Sequence, residues 1–242
     1  MQIKEIVRIP EYYVRILLSA ISMKGKGECP CCKEKIRYYK PYGTKKLRTN
    51  AECPKCRAAE RDRIERIWLE KQNWGGGEDV LHFAPEAGQY EYLSKKFINY
   101  WPVDIDSNMK NIKKVEDITN ISFEDDTFDL IICNQVLEHV IQDEKSIREL
   151  ARVLRKNGRC LITVPIDDNN PTLCEEWINT TALRIKFYGE DNHVRMYGND
   201  FDKVLLKNGL KSKKIYAKDL ANTESLVKAG LKKDAYFWLC YN

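Results

Sequence analysis

The sequence predicts an α/β protein, in which a doubly wound sheet follows a small cysteine-rich domain. Two observations support this fold class. Residues 78–138 alternate short apolar runs with amphipathic stretches, from residues 80–84 (VLHFA) to the strand-like run at residues 128–134 (FDLIICN). Upstream of this region, four cysteines form two Cys-x-x-Cys pairs, a spacing that is typical of small metal-bound domains.

These features divide the 242-residue chain into four predicted parts. They are a helical segment (residues 1–27), a cysteine-rich ribbon (28–57), a connecting helix with a glycine linker (58–77) and the α/β domain (78–242). Residues 1–74 contain 18 Lys and Arg but 9 Asp and Glu, a net charge of +9, whereas the remainder has a net charge of −4. The N-terminal part is therefore the part that would attract an anionic partner.

Residues 11–23 predict an amphipathic helix. Its apolar stripe consists of Val14, Leu17, Leu18 and Ile21. We expect this stripe to pack against the neighbouring domain, and a membrane-surface or partner helix is the alternative. No apolar run approaches the roughly 18 residues of a membrane span, and Glu5 and Glu11 interrupt a signal-peptide pattern. We therefore expect a cytoplasmic protein without a membrane span.

The cysteine pairs read CPCC at residues 29–32 and CPKC at residues 53–56. The predicted ligands are Cys29, Cys32, Cys53 and Cys56. Two intervening residues allow one tight turn to direct both thiolates of a pair at a single ion, and four thiolates complete a tetrahedral shell. The pattern therefore predicts a structural zinc ribbon, with a redox pair as the alternative. We expect the fifth thiol, Cys31, not to bind the metal.

The loop after the first α/β strand differs from the usual dinucleotide-binding pattern. Residues 82–88 read HFAPEAG, so only Gly88 is a glycine. A pyrophosphate needs several glycines for its close approach, so NAD and FAD are disfavoured, and a cofactor without phosphate is permitted. Asp104 follows His82 by 22 residues, the spacing at which a second strand presents a carboxylate to ribose hydroxyls. Glu86 provides a carboxylate for a cofactor ammonium group.

Two longer segments resemble the class I S-adenosylmethionine (SAM) dependent methyltransferases. They are residues 117–140 (DITNISFEDDTFDLIICNQVLEHV) and residues 148–165 (RELARVLRKNGRCLITVP). Both carry motifs of that family in the expected order, including its LEHV turn and its helix-to-strand turn. The resemblance extends from residue 78 onward and implies a Rossmann-like, seven-stranded sheet that binds SAM beyond the carboxyl ends of the strands.

The resemblance also implies how the cofactor is held. It assigns Asp117 and Ile118 to the adenine, and the loop that begins at Asn134 to the methyl group. The complete predicted cofactor set is His82, Ala84, Glu86, Gly88, Asp104, Ile105, Asp117, Ile118, Asn134 and Gln135.

The polar segment 166–197 is too long for a plain connection, so we expect it to cover the acceptor pocket. Its end, GEDNHVRMYG at residues 189–198, resembles a signature of the same methyltransferase group. The predicted acceptor-binding residues are Arg184, Tyr188, Arg195 and Tyr197. His193 is the first choice for a catalytic base and His139 the second, with a structural or orienting role as the alternative for each.

The sequence thus predicts methyl transfer to a small-molecule or glycan acceptor, at a hydroxyl group. A methyltransferase of rRNA or other RNA bases is the first alternative, because a zinc ribbon also precedes this fold in rRNA guanine methyltransferases. The chain lacks the Asn/Asp-Pro-Pro-aromatic motif of amino-group methylators, and its catalytic half has no basic stripe. A non-catalytic, zinc-binding interaction scaffold is the second alternative, because the first loop is altered. The oligomeric state is left open.

Overall fold

The computed structural model describes residues 3–43 and 47–242. It contains two compact units, each assembled from segments that are distant in sequence. The N-terminal unit consists of Met1–Asn73, Glu86–Tyr92 and Ile215–Phe237, and the second unit of Trp74–Pro85, Leu93–Lys214 and Trp238–Asn242. The first segment of the second unit begins at Trp74, directly before the glycine run at residues 75–77 that the sequence predicts as a linker. The finer four-part division of the chain stays a prediction.

The helices and strands follow one another along the whole chain. The helices are α1 (Ile3–Ser22), α2 (Glu60–Glu70), α3 (Ala87–Lys96), α4 (Asp143–Val153), α5 (Thr181–Phe187), α6 (Phe201–Lys207), α7 (Ala217–Leu220) and α8 (Thr223–Lys228), with a 3-10 helix at Leu137–His139. The strands are β1 (Gly27–Glu28), β2 (Lys35–Ile36), β3 (Lys40–Tyr42), β4 (Arg48–Glu52), β5 (Asp79–Phe83), β6 (Asn99–Asp104), β7 (Lys114–Val115), β8 (Phe128–Asn134), β9 (Leu154–Thr163), β10 (Ile166–Asp167), β11 (Tyr197–Gly198), β12 (Lys211–Tyr216) and β13 (Tyr236–Tyr241).

The main sheet has seven strands in the order β12-β13-β9-β8-β5-β6-β7. Strand β5 pairs in parallel with both β6 and β8, and β13 runs antiparallel to β9. The chain therefore leaves β5 towards one edge of the sheet and returns at β8 on the other side. A ligand crevice forms at such a reversal, beyond the carboxyl ends of the two strands. The predicted Rossmann-like, seven-stranded fold is confirmed.

The central strands are apolar on both faces because helices cover both sides of a parallel sheet. In β8, residues 130–133 (LIIC) are all inaccessible to solvent, and Val80 and Leu81 of β5 are equally buried. Full burial of such side chains stabilises the fold by about 1.5–3 kcal/mol each. This continuous apolar pattern fixes the sheet that carries the crevice.

The N-terminal unit is organised around a buried arginine and a buried tyrosine. The guanidinium of Arg63 lies 4.1 Å above the ring of Tyr39 and donates to the carbonyl of Ala58 at 2.7 Å and, at 3.4 Å, to that of Gly230. The backbone N–H of Tyr39 donates to Oγ of Ser19 in α1 at 2.8 Å. These bonds tie the ribbon strands, α2 and α1 into one unit.

Helix α1 begins earlier than the sequence suggests, at Ile3, and runs through Pro10. The expected packing of its apolar stripe is wrong, because Val14, Leu17, Leu18 and Ile21 are each more than half exposed. Ser19 of the helix is fully buried instead, as is nearly all of Met23, the residue that follows the helix. Within residues 3–43 and 47–242, no helix has the length and apolar character needed to cross a membrane. The cytoplasmic location stays a prediction.

Strand β9 runs from Leu154 to Thr163 and is irregular near its start. Phe128 of β8 pairs with Leu154, but the next paired positions are Leu130 and Arg159, so β9 bulges between them. A Cβ atom at Gly158 would lie 2.7 Å from Cδ1 of Leu154 and 2.9 Å from two backbone oxygens. The bulge therefore requires glycine at this position.

Replacing Gly158 by alanine is predicted to lower the free energy of unfolding by about 1–3 kcal/mol, because the bulged backbone cannot make room without disturbing the pairing of β8 with β9. Urea denaturation followed by circular dichroism measures this change. Gly77→Ala is the matched control, since a Cβ there meets no atom within 4 Å. Equal stability of the two variants would show that the bulge adapts freely.

Candidate active site and metal centre

The structure brings the four predicted zinc ligands together. The Sγ atoms of Cys29 and Cys56 are 3.7 Å apart, and those of Cys32 and Cys53 are 3.9 Å apart. All four sulfurs lie within 4.8 Å of one another. Sulfurs bound tetrahedrally at 2.3 Å to one zinc ion are separated by about 3.8 Å. The donor set and its spacing therefore fit a structural zinc ion.

The same backbone turn forms each half of this cluster. The N–H of Lys33 donates to the carbonyl of Cys29 at 2.8 Å, and the N–H of Arg57 donates to that of Cys53 at 3.0 Å. Lys33 and Arg57 both adopt left-handed backbone conformations, with φ of 61° and 64°. Such values are uncommon outside glycine. The repeated turn explains why the two cysteine pairs present their thiols in the same way.

The fifth thiol lies outside the cluster, as the sequence suggests. Cys31 is 8% exposed, and its Sγ donates to the carbonyl of Asp62 at 3.4 Å. This hydrogen bond directs the Cys31 sulfur to the backbone of α2. The expectation that Cys31 does not bind the metal stays a prediction.

At the crevice, two residues that are not glycine have positive φ. Ala84 follows β5 with φ of 47°, and Gln135 follows β8 with φ of 53°. The N–H of Ala84 donates to the carbonyl of Val103 at 2.9 Å, and that of Gln135 to the carbonyl of Thr163 at 2.8 Å. Left-handed residues of this kind cluster at ligand sites, where the surrounding structure holds them in place. Sequence patterns alone do not reveal this conformation, because neither position is a glycine.

The residues that we predict to contact the ribose and the adenine lie at or after the carboxyl ends of two parallel neighbouring strands, β6 and β7. Asp104 ends β6, and its Oδ1 accepts from the N–H of Asp106 at 2.9 Å, which fixes the carboxylate. Ile105 is 70% exposed. After β7, Asp117 is exposed and Ile118 is buried, at 5% exposure. Asp104 therefore presents a fixed and accessible acceptor beyond the strand end.

Two of the predicted cofactor residues have side chains inside the sheet. His82 is fully buried in β5, and its Nδ1 is 2.8 Å from the hydroxyl of Tyr100. Asn134 is 2% exposed at the end of β8, where its Oδ1 accepts from Oγ1 of Thr163 at 2.8 Å. Both side chains hold neighbouring strands together. Their contacts with a cofactor stay predictions.

Two other predicted cofactor residues belong to the N-terminal unit. Oε1 of Glu86 is 3.4 Å from Nε of Arg61. A Cβ atom at Gly88 would lie 2.7 Å from Cβ of Ala58, so this glycine permits a close approach to α2's first turn. The contacts that we predict for Glu86 and Gly88 with a cofactor are not tested by this geometry.

Beyond β8, three ionisable side chains converge. Glu138 and His139 lie in the 3-10 helix, and His193 comes from the long segment that the sequence suggests as an acceptor cover. The two imidazole rings are 4.8 Å apart between centroids, and the ligand atoms of all three residues lie within 4.8 Å of one another. Glu138 is 1% exposed and His193 is 7% exposed, whereas His139 faces solvent. Sequence analysis missed Glu138, although it precedes His139 in the LEHV turn.

The hydrogen bonds of the two histidines define which ring nitrogen is basic. Nδ1 of His193 is 3.0 Å from the carbonyl of Tyr188, and Nδ1 of His139 is 3.4 Å from that of Asn192. A carbonyl oxygen only accepts, so each Nδ1 carries the hydrogen and each Nε2 keeps its lone pair. Burial, and secondarily the neighbouring His193, lower the pKa of His139. The lowered pKa favours the neutral form of the His139 imidazole at neutral pH.

Arg195 and Tyr197 anchor the segment that carries His193. The guanidinium of Arg195 donates to the carbonyl of Val140 at 2.5 Å and to that of Ile141 at 2.9 Å, and it is 3.1 Å from the carboxylate of Asp143. The hydroxyl of Tyr197 donates to the same carboxylate at 2.6 Å. Both side chains are buried, so these contacts hold the segment onto the turn after β8. Their binding of an acceptor stays a prediction.

The other two predicted acceptor residues lie at α5. Tyr188 is 1% exposed, and its hydroxyl accepts from the N–H of Glu175 at 2.9 Å. Arg184 lies within α5, and its backbone carbonyl accepts from the N–H of Tyr188 at 2.7 Å. Tyr188 thus stabilises the segment internally, and an acceptor contact for either residue stays a prediction.

Comparison with known proteins finds one family model and two relatives that match part of the chain. Residues 84–162 match the family model described as a methyltransferase domain. The chain is 33% identical over 131 residues to an uncharacterized protein of Methanocaldococcus jannaschii, a match that covers 50% of this chain and 56% of that protein. It is 32% identical over 100 residues to an uncharacterized methyltransferase of Bacillus subtilis, which covers 38% of each protein. The matches thus span about half or less of these relatives' lengths.

A solved structure supports the same fold. A geranyl diphosphate methyltransferase, in complex with GPP and sinefungin, superposes with a TM-score of 0.50 and 13% identity, over 75% of this chain and 76% of that one. At this identity the likeness concerns the fold alone.

Purified protein is predicted to contain one zinc ion per chain, measured by elemental analysis. Serine at position 29, 32, 53 or 56 should release the zinc and loosen residues 28–57, because folding and metal binding are coupled in such sites. Cys31→Ser is the matched control within the first turn and should retain the metal. Wild-type protein without zinc, or loss of zinc in Cys31→Ser alone, would contradict this assignment.

Proposed function

We propose that this chain, which contains a class I SAM-dependent methyltransferase domain, transfers a methyl group from SAM to a hydroxyl of a small-molecule or glycan acceptor. The observation that carries the proposal is the reversal of the strand order at β5, which lies between β6 and β8 and so predicts a ligand crevice beyond the ends of β5 and β8. Ala84 and Gln135 border it with left-handed backbone, and Asp104 lies at the end of the adjacent strand. A fixed carboxylate at that position suits a ribose with two free hydroxyls.

The residues around the crevice also suit a cofactor without phosphate. A single left-handed residue after β5, Ala84, replaces the glycine-rich turn that a pyrophosphate requires. The cofactor would supply a methyl group activated by a positively charged sulfur. The chain's own task is then to align the acceptor oxygen with that methyl group and to exclude water, which supplies a large part of the rate of such displacements.

The acceptor proton would be removed at the His139–His193 pair. Nε2 of His193 is our first choice for the base and that of His139 the second, because both Nδ1 atoms face backbone carbonyls. The imidazole would accept the hydroxyl proton as the acceptor oxygen takes the methyl group, and the electron pair of the broken carbon–sulfur bond would stay on the cofactor's sulfur. Base catalysis of this kind contributes about 10²–10⁴-fold to turnover.

Methylation of an RNA base is the second candidate function. The net charge of +9 over residues 1–74 favours it, because basic surfaces attract the phosphate backbone. RNA binding whose affinity falls steeply with salt, combined with methyl transfer to RNA, would support this function over the small-molecule one. An interaction scaffold without catalysis is the remaining alternative, and it requires that the protein not bind SAM.

Asp104→Ala is predicted to weaken SAM binding by about 1.5–3 kcal/mol, because it removes a charged acceptor of two ribose hydrogen bonds. Isothermal titration calorimetry with SAM measures the effect. Glu124→Ala is the control, since Glu124 is an exposed carboxylate of the same unit and should leave the affinity unchanged. Absence of SAM binding by the wild type would end the enzymatic proposal. Unchanged affinity of Asp104→Ala would move the ribose contact to Asp106.

A further inference from the structure

Two of the chain's three histidines meet a buried carboxylate at one point. His139 and His193 are 54 residues apart in sequence, yet their rings are in edge contact, and Glu138 places a carboxylate beside them. Two imidazoles and one carboxylate are the protein ligands of many open divalent-metal sites. The cluster lies beyond the carboxyl end of β8, on the side where an acceptor would enter.

The histidines are already oriented as metal ligands are. Ligating imidazoles usually donate their other N–H to a carbonyl or a carboxylate, which fixes the ring and its tautomer. His193 and His139 direct Nδ1 towards the carbonyls of Tyr188 and Asn192. Both Nε2 lone pairs thus remain for an ion.

The spacing of the cluster is close to that of a metal shell. Its ligand atoms lie within 4.8 Å of one another, and atoms bound to one such ion at 2.0–2.2 Å are at most about 4.4 Å apart. His139 is exposed, so a small shift of its side chain that keeps Nδ1 towards the carbonyl of Asn192 can close the remaining distance. The backbone beneath is held, because the N–H of Val194 donates to the carbonyl of Glu138 at 2.9 Å.

The local charges also favour a cation. Arg195, two residues from His193, is paired with Asp143 at 3.1 Å, so its charge is largely compensated. Glu138 places a buried carboxyl group beside the two rings, and Glu190 is a further acidic group near His139. A buried carboxylate is stabilised by a nearby positive charge.

We propose that Glu138, His139 and His193 bind a divalent transition-metal cation, and that the acceptor reaches the site as a ligand of that cation. The role of the cation rests on the proposed methyl transfer, whereas its binding does not. Three protein ligands leave coordination positions open, so an acceptor with two adjacent oxygens, such as a vicinal diol of a sugar, is the class that would chelate best.

In the cation-bound form, coordination replaces direct proton transfer to His193. The cation lowers the pKa of the bound hydroxyl, whose proton leaves to water, and it holds the resulting oxygen in position. The oxygen–carbon bond then forms as the carbon–sulfur bond breaks, with the electron pair going to sulfur. The cation keeps its oxidation state throughout.

Titration of tag-free, zinc-loaded protein with Mn²⁺ or Ni²⁺ alone tests the site. Loss of the free-ion Mn²⁺ signal in electron paramagnetic resonance, and calorimetry for Ni²⁺, report binding without any need for an acceptor. For at least one ion, His139→Gln and Glu138→Gln should weaken binding about tenfold or more. His139 is exposed, so its replacement keeps the test valid if Glu138→Gln fails to fold.

Asp191→Asn is the matched control, because Asp191 is an exposed carboxylate two residues from His193 but outside the cluster. It should bind either ion as the wild type does. The proposed metal site is wrong if neither Mn²⁺ nor Ni²⁺ binds the wild type more tightly than it binds the folded His139→Gln and Glu138→Gln variants. SAM calorimetry separates the two proposals, because failed metal binding with intact SAM binding refutes the cation site alone. Metal binding without SAM binding refutes the methyl transfer and leaves a metal site.

Discussion

The buried guanidinium of Arg195 is the interaction on which the acceptor side of this protein depends. A charge removed from water is tolerated only when its hydrogen bonds and its countercharge are satisfied. Arg195 meets both conditions at once, because carbonyls of the turn after β8 accept its N–H groups and Asp143 neutralises it. Removing one partner of such a buried pair costs about 3–5 kcal/mol. The long segment before α6 therefore has one favourable position on the sheet edge.

The anchored position of this segment determines which side chains meet beyond the end of β8. His193 lies two residues before Arg195, so anchoring the arginine also brings the imidazole to His139 and Glu138. The turn that accepts the arginine follows β8, whose end borders the crevice. Asn134 and Gln135, which we predict to contact the cofactor, and His193, which we predict to act on the acceptor, thus lie at the same end of β8, although they come from segments far apart in sequence. In the N-terminal unit, Arg63 has a similar role, since its buried guanidinium holds Tyr39 and the ribbon backbone.

Much of the fold could be predicted because its signals are local. The apolar runs of β5 and β8, the acid that ends β6 and the paired cysteines are all visible in short stretches of sequence. Ala84 and Gln135 could not be predicted as left-handed residues, because their conformation results from the strands on either side. Glu138 was not predicted as a site residue for a related reason, since its proximity to His193 joins positions that are 55 residues apart in sequence. The exposure of the apolar stripe of α1 likewise depends on tertiary packing, which the periodicity of the sequence does not specify.

A crystal structure of the protein with S-adenosylhomocysteine would test the central claim most directly, namely that the crevice between β5 and β8 is a methyl-donor site. The ribose hydroxyls are predicted to lie on the carboxylate of Asp104, with the sulfur directed towards the loop from Asn134 to His139. An alternative position for S-adenosylhomocysteine is a cavity of about 660 Å³ in the N-terminal unit, which is bordered by Lys33, Glu70 and Lys71 among other residues. Binding in that cavity, with the strand ends left empty, would contradict the account.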